Sequence, residues 1–250
     1  MTEIQFINAD WNAPEQVKTL VTTRTGGVSK APFDSLNLGL HVNDVDEHVQ
    51  TNRQKLIDIG ELPSEPVWLN QVHGIDIIEL KGKKSVTPPV CDGVYTQQKS
   101  TVCAVMTADC LPLFLTNTKG DRVALLHAGW RGLANGIIEK GVALLCDSGD
   151  TKETPNNLVA WAGPCISINN FEIGNEVKEQ LHGPDYAYKP SLQTNKHYAD
   201  LYQLTGERLS RVGVNNYTHS QYCSFTDEHL FFSHRRDKKT GRMASLIWIE

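Results

Sequence analysis

The sequence lacks both a basic excess and a long apolar run. Its 250 residues contain 24 Lys and Arg against 29 Asp and Glu, a formal net charge of -5 at pH 7. A surface that follows nucleic-acid phosphates normally needs an excess or stripe of basic residues, so we expect no nucleic-acid partner. No apolar run approaches the roughly 18 residues that span a bilayer, and the N-terminal residues show no secretory pattern, so we expect no membrane partner.

Closely spaced metal and redox motifs are also missing. The six cysteines never occur in Cys-x-x-Cys spacing, and the nine histidines never form a His-x-His pair. The chain is too long for a small secreted scaffold that depends on disulfides. We therefore expect reduced thiols and a cytoplasmic location.

Short apolar segments and amphipathic segments are both present along the chain. Buried strands are predicted for TLVTTR, PVWLNQVHG, STVCAVMTA, LPLFLTN, RVALLHAG and NLVAWAG, which turn residues bound. Helices are predicted from Asp44, with Glu47 completing a capping box, to Gly60, and over about 131–146 and 198–211. No loop is long or biased enough to indicate a domain linker, so we expect one domain over residues 1–250. Its predicted class is α/β (α+β-like), a layered sandwich with a mixed, partly antiparallel sheet.

Three polar residues follow apolar segments and stand next to turn residues. They are His73, Cys110 and His127. We expect the Cys110 and His127 side chains to leave adjacent strand ends near one spot, and His73 is a third candidate in the same kind of context. Together they would form a His2Cys set with an open tetrahedral position, which is typical of a catalytic zinc. Their spacing matches no local metal motif. Metal ligands, a Cys110–His127 nucleophilic pair and plain core residues are therefore all open at this point.

A place for an anion is predicted beside these residues. A helix is expected to open at GWRG, directly after His127, and its first N–H groups together with Arg131 favour negative charge. In the first helix Arg53 shares an inward face with Val49 and Ile57. A guanidinium in that position needs an anionic or carbonyl partner.

Ordered motifs over nearly the whole chain resemble the YfiH/YlmD family, formerly labelled polyphenol oxidase or laccase domain. They are TRTGGVS (23–29), SLNLGLHVND (35–44), NR (52–53), NQVHG (70–74), DG (92–93), TADCLPL (107–113), HAGWRG (127–132), GPCI (163–166) and SHRRDKKTGRMASLIW (233–248). The resemblance implies a single α/β sandwich domain and a zinc ion held by His73, Cys110 and His127. It also implies phosphorolysis of adenosine, inosine, guanosine and S-methyl-5′-thioadenosine, and deamination of adenosine.

Roles for individual residues follow as expectations. Cys110, His127 and Asp109 are the candidate catalytic residues, with Asp109 moving protons during deamination. The candidates for binding phosphate or nucleoside are Arg53, Asn37, Gln71, Arg24 and Arg131. Of the adjacent Arg235 and Arg236 at most one can face the site, and a structural salt bridge is the expected role. We expect purine nucleosides and phosphate as partners, and a monomer or small homo-oligomer.

Two other functions stay open. Multi-copper oxidases hold their copper cluster with His-x-His pairs, which this chain lacks, but a His2Cys set could still bind Cu2+ and give weak polyphenol oxidation. The other function is that of a Cys–His hydrolase or deamidase, in which His127 lowers the pKa of the Cys110 thiol. The family's fold is similar to that of bacterial toxin deamidases with such a pair. An enzyme of that kind would not need His73.

Overall fold

In the computed structural model two β-sheets pack face to face, and helices cover their outer sides. The structure describes residues 4–82, 87–148 and 152–250; the rest of the predicted domain, 1–3, 83–86 and 149–151, lies outside the described residues. The strands are β1 (Phe6–Ile7), β2 (Val17–Thr22), β3 (Ile77–Glu79), β4 (Gly93–Thr96), β5 (Cys103–Thr107), β6 (Leu111–Asn117), β7 (Val123–Ala128), β8 (Leu158–Ala162), β9 (Glu172–Gly174), β10 (Tyr188–Pro190), β11 (Lys196–Ala199), β12 (Asn216–His219) and β13 (Met243–Ile249). The helices are α1 (Asp46–Ile59), α2 (Trp130–Ala134), α3 (Ile137–Asp147), α4 (Asn175–Leu181), α5 (Leu201–Arg211) and α6 (His234–Asp237).

The strands form three sheets. A six-stranded sheet has the order β12-β8-β6-β7-β4-β3, with parallel pairs at its two edges and antiparallel pairs between them. A four-stranded antiparallel sheet has the order β1-β2-β13-β5, and a small antiparallel sheet has the order β10-β11-β9. The predicted α/β class with mixed, partly antiparallel sheets is confirmed.

Strand β7 shows how the layers are built. Val123 and Leu125 belong to the core between the two larger sheets, whereas Ala124 and Leu126 belong to the core that includes α3 and α5. A strand buried on both faces is continuously apolar, as the RVALLHAG segment is. Each large apolar side chain buried in this way contributes about 1.5–3 kcal/mol.

Helix α1 covers the outer face of the four-stranded sheet. Its Leu56 is buried with Leu20 of β2 and Leu246 of β13. The order of layers is therefore α1, four-stranded sheet, six-stranded sheet, and then α3 with α5. The turn between β5 and β6 and the end of β7 lie side by side in this arrangement, since β6 pairs with β7.

Several predicted element boundaries were wrong. Helix α1 begins at Asp46, and the Asp44 carboxylate accepts hydrogen bonds from Ser29 Oγ (2.6 Å) and Asn37 Nδ2 (3.0 Å), so no capping box forms. The predicted helix 131–146 is two helices, because Gly136 has a φ of +91°. Left-handed backbone of this kind ends a helix and suits glycine.

Two further segments also differ from prediction. PVWLNQVHG makes only isolated bridges, Val67 with Cys103 and Asn70 with Val90, and is not a strand. The third helix begins at Leu201, because the Asp200 side chain caps the helix by accepting from two backbone N–H groups. Within the described ranges, no helix combines the length and the apolarity needed to cross a membrane.

Candidate metal centre and active-site cavity

The three predicted metal ligands come together at one end of the sheets. His127 lies near the end of β7, Cys110 lies in the turn between β5 and β6, and His73 lies in the loop before β3. Their ligand atoms all lie within 4.8 Å of one another. Cys110 Sγ is 3.9 Å from His73 Nε2, and the two imidazole rings meet edge to face. His127 is buried, and His73 is exposed at the outer side of the cluster.

A metal ion fits this donor set. A thiolate and two imidazoles are ligands that zinc prefers, and tetrahedral zinc places sulfur and nitrogen ligands about 3.5 Å apart. Gly129 provides the space for this approach, since a Cβ there would lie 3.0 Å from Cys110 Sγ and 3.1 Å from His73 Cδ2. The cluster could therefore bind a metal ion.

Without a metal, Cys110 and His127 favour a thiolate–imidazolium pair. Burial opposes ionisation of the thiol, but the positive charge of His127 and hydrogen bonds from His127 and His73 lower the pKa of Cys110 to about 6. Burial also disfavours the His127 cation, yet the Cys110 thiolate and a hydrogen bond to Asp92 raise the pKa of His127. The pair therefore has the chemistry of a nucleophilic dyad as well as that of metal ligands.

The three candidate ligands line a cavity of about 420 Å³. Small-molecule sites typically measure about 300–1,000 Å³. Its apolar lining consists of Met106, Ala108, Trp130, Ile166 and Phe171. Arg131, Arg235 and Arg242 supply its positive charge, and His41 and His234 add imidazoles to the lining. The cavity thus offers apolar surface for a ring system and positive charge for an anion.

Two of the predicted substrate-binding residues, Gln71 and Arg131, line this cavity. The side-chain amide of Gln71 donates to the backbone carbonyl of Met106 and accepts from its backbone N–H, both at 2.8 Å. These are the two bonds that a neighbouring strand would make with β5 at this residue. Gln71 thereby holds the loop that carries His73. Arg131 is exposed, and its guanidinium lies 4.3 Å from the ring centroid of Trp130.

Asp109 also lines the cavity, but the protein itself holds its carboxylate. Oδ1 accepts from Ser224 Oγ (2.7 Å) and Oδ2 accepts from the backbone N–H of Arg235 (2.6 Å). The residue has a φ of +95°, a conformation that is uncommon outside glycine. These contacts fix the turn that presents Cys110 and the start of α6.

Arg53, a predicted phosphate ligand, lies outside the cavity lining. Its Nε (3.0 Å) and Nη2 (2.9 Å) both donate to the carbonyl oxygen of Leu38. The guanidinium also lies over Trp68, 4.0 Å from the ring centroid. The Leu38 carbonyl is thus one of the two kinds of partner that an inward-facing guanidinium requires.

Asn37 and Arg24 are likewise engaged elsewhere. Asn37 is buried, and its side chain bonds to the backbone of Gly39 and Arg242 and to the Asp44 carboxylate. Arg24 donates to the carbonyls of Asp34 and Glu228. The structure does not bring either side chain to the cavity, because internal hydrogen bonds hold each of them in place.

Sequence reasoning missed much of the cationic lining. Arg235 lies over Phe171 and donates to the Glu172 carbonyl at 2.9 Å, while Arg236 pairs with Asp237. One arginine of the pair does face the site, but the expected salt bridge belongs to the other. Arg242 is the other missed arginine. The one available signal was the density of basic residues in SHRRDKKTGR.

His41 was missed as well. It follows Leu40 in a short 3-10 helix that lies far from the ligands in sequence. Burial and the positive charges of Arg242 and Arg53 lower its pKa. Its imidazole is therefore mainly uncharged at neutral pH, with one donor and one acceptor nitrogen.

Fold and site together define an α/β sandwich protein with a candidate His2Cys metal centre in a cationic cavity. Residues 18–250 match the family described as "Multi-copper polyphenol oxidoreductase laccase". The chain belongs to this family, and its relatives confirm the resemblance to YfiH and YlmD.

Three relatives show how far the similarity extends. The protein named purine nucleoside phosphorylase YfiH of Escherichia coli (strain K12) is 44% identical over 247 residues, which cover 98% of this chain and 99% of that protein. A Neisseria meningitidis protein of known crystal structure is 40% identical with a TM-score of 0.88, over 98% of this chain and 99% of that one. YlmD from Geobacillus stearothermophilus is 30% identical with a TM-score of 0.88, over 100% of both chains.

Proposed function

We propose that the protein is a zinc-dependent purine nucleoside phosphorylase. Its proposed substrates are adenosine, inosine, guanosine and S-methyl-5′-thioadenosine, and it is also proposed to deaminate adenosine. The observation that carries the proposal is the cavity that joins His73, Cys110 and His127 to an apolar surface and a cluster of arginines. Relatives named purine nucleoside phosphorylases, similar over nearly the whole chain, support it.

Phosphorolysis requires a phosphate held by cations beside the sugar. Arg131, Arg235 and Arg242 line the cavity, and a planar guanidinium can hold two phosphate oxygens at once. Arg242 donates to the Thr240 and Gly241 carbonyls, so its side chain is already oriented. We assign phosphate binding to these three arginines in place of Arg53 and Arg24.

The nucleoside base requires flat apolar surface and polar groups at its edge. Phe171 and Trp130 supply aromatic rings in the cavity, and Ile166 and Met106 add aliphatic surface. An uncharged His41 can accept or donate a hydrogen bond at the departing purine.

Zinc, when bound by His73, Cys110 and His127, supplies Lewis-acid and water-activating chemistry. Deamination also needs a group that carries a proton to and from the purine. Asp109 is our proposed carrier, and in that role its carboxylate exchanges the hydrogen bond from Ser224 for one with the substrate.

The test combines metal analysis with product analysis on the purified protein. Wild type should contain stoichiometric zinc. From adenosine it should form adenine and ribose 1-phosphate only when phosphate is present, and its formation of inosine should not require phosphate. His73→Ala should lose zinc and both reactions, whereas the matched control His197→Ala should keep them, because neither His197 nor its side-chain partner Asn175 lines the cavity. Full activity of metal-free wild type, or of His73→Ala, would refute the proposal.

A Cys–His hydrolase is the second candidate, and the lowered pKa of Cys110 beside His127 favours it. Such an enzyme would be active without metal, would tolerate His73→Ala and would be inactivated by alkylation of Cys110. The family description suggests a third reaction, copper-dependent polyphenol oxidation. Bound copper and metal-dependent phenol oxidation in the same preparation would identify it.

A further inference from the structure

Asp92, immediately before β4, is a fully buried carboxylate to which the ligand assignment gives no role. A buried carboxylate is costly unless hydrogen bonds compensate its lost hydration. Here four N–H groups do so. Oδ1 accepts from His127 Nδ1 (2.8 Å) and the His73 backbone N–H (2.9 Å), and Oδ2 accepts from the Gly74 (2.7 Å) and Val72 (3.2 Å) backbone N–H groups.

These contacts determine how His127 is presented. An ionised carboxylate can only accept hydrogen bonds, so Nδ1 of His127 must carry the proton that it shares with Asp92. Nε2 is then the nitrogen left to bind a metal. The backbone N–H of His127 also donates to the Asp92 carbonyl oxygen at 2.7 Å, so one residue fixes both the ring and the chain of this ligand.

The same carboxylate determines how His73 is presented. His73 has a φ of +61°, a left-handed conformation that is uncommon for a residue with a Cβ. Asp92 binds three consecutive N–H groups, at residues 72–74, and holds the loop in this conformation. The neighbouring Gln71 anchors the loop from the other side, on Met106.

We propose that Asp92 is the positioning residue that orients both histidine ligands and thereby sets the metal affinity of the site. The carboxylate touches neither cavity nor substrate, since it is fully buried, and acts only through the two histidines. This inference rests on the metal-binding part of the proposed function and is independent of the reaction catalysed. Removal of such an outer partner typically weakens metal binding by about 10–100-fold.

The test compares Asp92→Asn with the matched control Asp76→Asn. The Asp76 carboxylate is exposed, and it pairs with Lys140 at 3.1 Å. The zinc dissociation constant is measured against a competing chelator. We expect it to rise by about 10–100-fold in Asp92→Asn. In Asp76→Asn we expect it to stay within about twofold of wild type, because pairs of this exposed kind contribute little.

Saturation with Co2+ separates orientation from mere stability. If Asp92 orients the histidines, the visible absorption bands of the fully loaded Asp92→Asn protein will differ from those of wild type, because those bands report the arrangement of the ligands. If Asp92 only stabilises the fold, the spectrum at saturation will match wild type, and the proposal is overturned. An unchanged zinc affinity overturns it as well.

Folding of the variants is checked by circular dichroism and thermal unfolding without metal. Asp92→Ser, which is smaller and cannot overpack the site, is measured if Asp92→Asn does not fold, with the same expectations. If neither variant folds, the carboxylate serves the fold rather than the ligands, and the inference fails. If wild type binds no zinc, the proposed metal-dependent function itself fails. If wild type and Asp92→Asn bind zinc equally well, the metal site stands and only the role of Asp92 fails.

Discussion

Gly129→Ala is the substitution that most directly tests the metal centre. Gly129 has φ -64° and ψ 162°, which alanine adopts without strain, so the backbone gives no reason for an effect. The added Cβ, however, would lie 3.0 Å from Cys110 Sγ and 3.1 Å from His73 Cδ2. Carbon atoms in contact prefer about 3.5–4.0 Å, so both ligand side chains must move by roughly 0.5 Å or more.

The cost should appear in metal binding rather than in folding. In the metal-free protein the Cys110 and His73 side chains can rotate away from the new methyl group, whereas a bound ion holds them in place. Overpacking of this kind costs about 1–3 kcal/mol, which corresponds to about 5- to 150-fold weaker binding when it falls on the bound state.

Chelator competition measures the zinc affinity, and thermal unfolding without metal measures the fold. Gly206→Ala in α5 is the matched control, since its Cβ would make an equally close contact, 3.0 Å from Tyr217 Cε1, outside the cluster. We expect near wild-type unfolding for both variants and weakened zinc binding for Gly129→Ala alone. Wild-type zinc affinity in Gly129→Ala would show that the ion does not sit between Cys110 and His73.

The remaining predictions concern the thiol, the phosphate and the fold. In metal-free protein the rate of Cys110 alkylation should rise with pH through a midpoint of about 6, because the lowered pKa leaves the sulfur a thiolate above that pH and a thiol below it. His127→Ala should move the midpoint upward, and zinc should suppress the reaction. Arg235→Met should raise the KM for phosphate about tenfold or more while leaving that for inosine unchanged, because a hydrogen bond to a charged group contributes about 1.5–3 kcal/mol; initial rates at varied phosphate check this. Asn52→Ala should destabilise the protein by about 2–5 kcal/mol in urea unfolding without changing zinc affinity, since its buried amide bonds to four groups in residues 28–37; a loss below 1 kcal/mol would contradict this.

Strands were predicted more reliably than loops, because a strand that is buried on both faces has a continuously apolar local sequence. LPLFLTN and RVALLHAG are apolar throughout, since each strand is buried on both faces. The error at PVWLNQVHG has the opposite cause: its apolar residues pack into cores while its backbone pairs only at single bridges. Composition reports burial and does not report backbone pairing.

Some residues of the candidate site could likewise be predicted from the sequence, and others could not. His73, Cys110 and His127 are chemically distinctive residues at the ends of apolar segments, so the sequence alone could propose them. Arg53 and Arg242 could not be ranked from sequence, because the difference lies in tertiary contacts. One guanidinium meets the Leu38 carbonyl, and the other reaches the cavity from a segment 115 residues beyond His127 in the chain.

The surroundings of the three ligands favour metal chemistry over thiol chemistry. A nucleophilic thiol needs Cys110, His127 and an acceptor for His127 Nδ1, and Asp92 Oδ1 completes that set. It does not need His73 in a left-handed conformation, the N–H groups of residues 72–74 bound to the same carboxylate, or Gln71 anchoring their loop. Nor does it need Gly129, whose missing side chain allows His73 and Cys110 to approach each other. These features all place His73 beside the other two residues, and the three together form the donor set that the proposed metal ion would need.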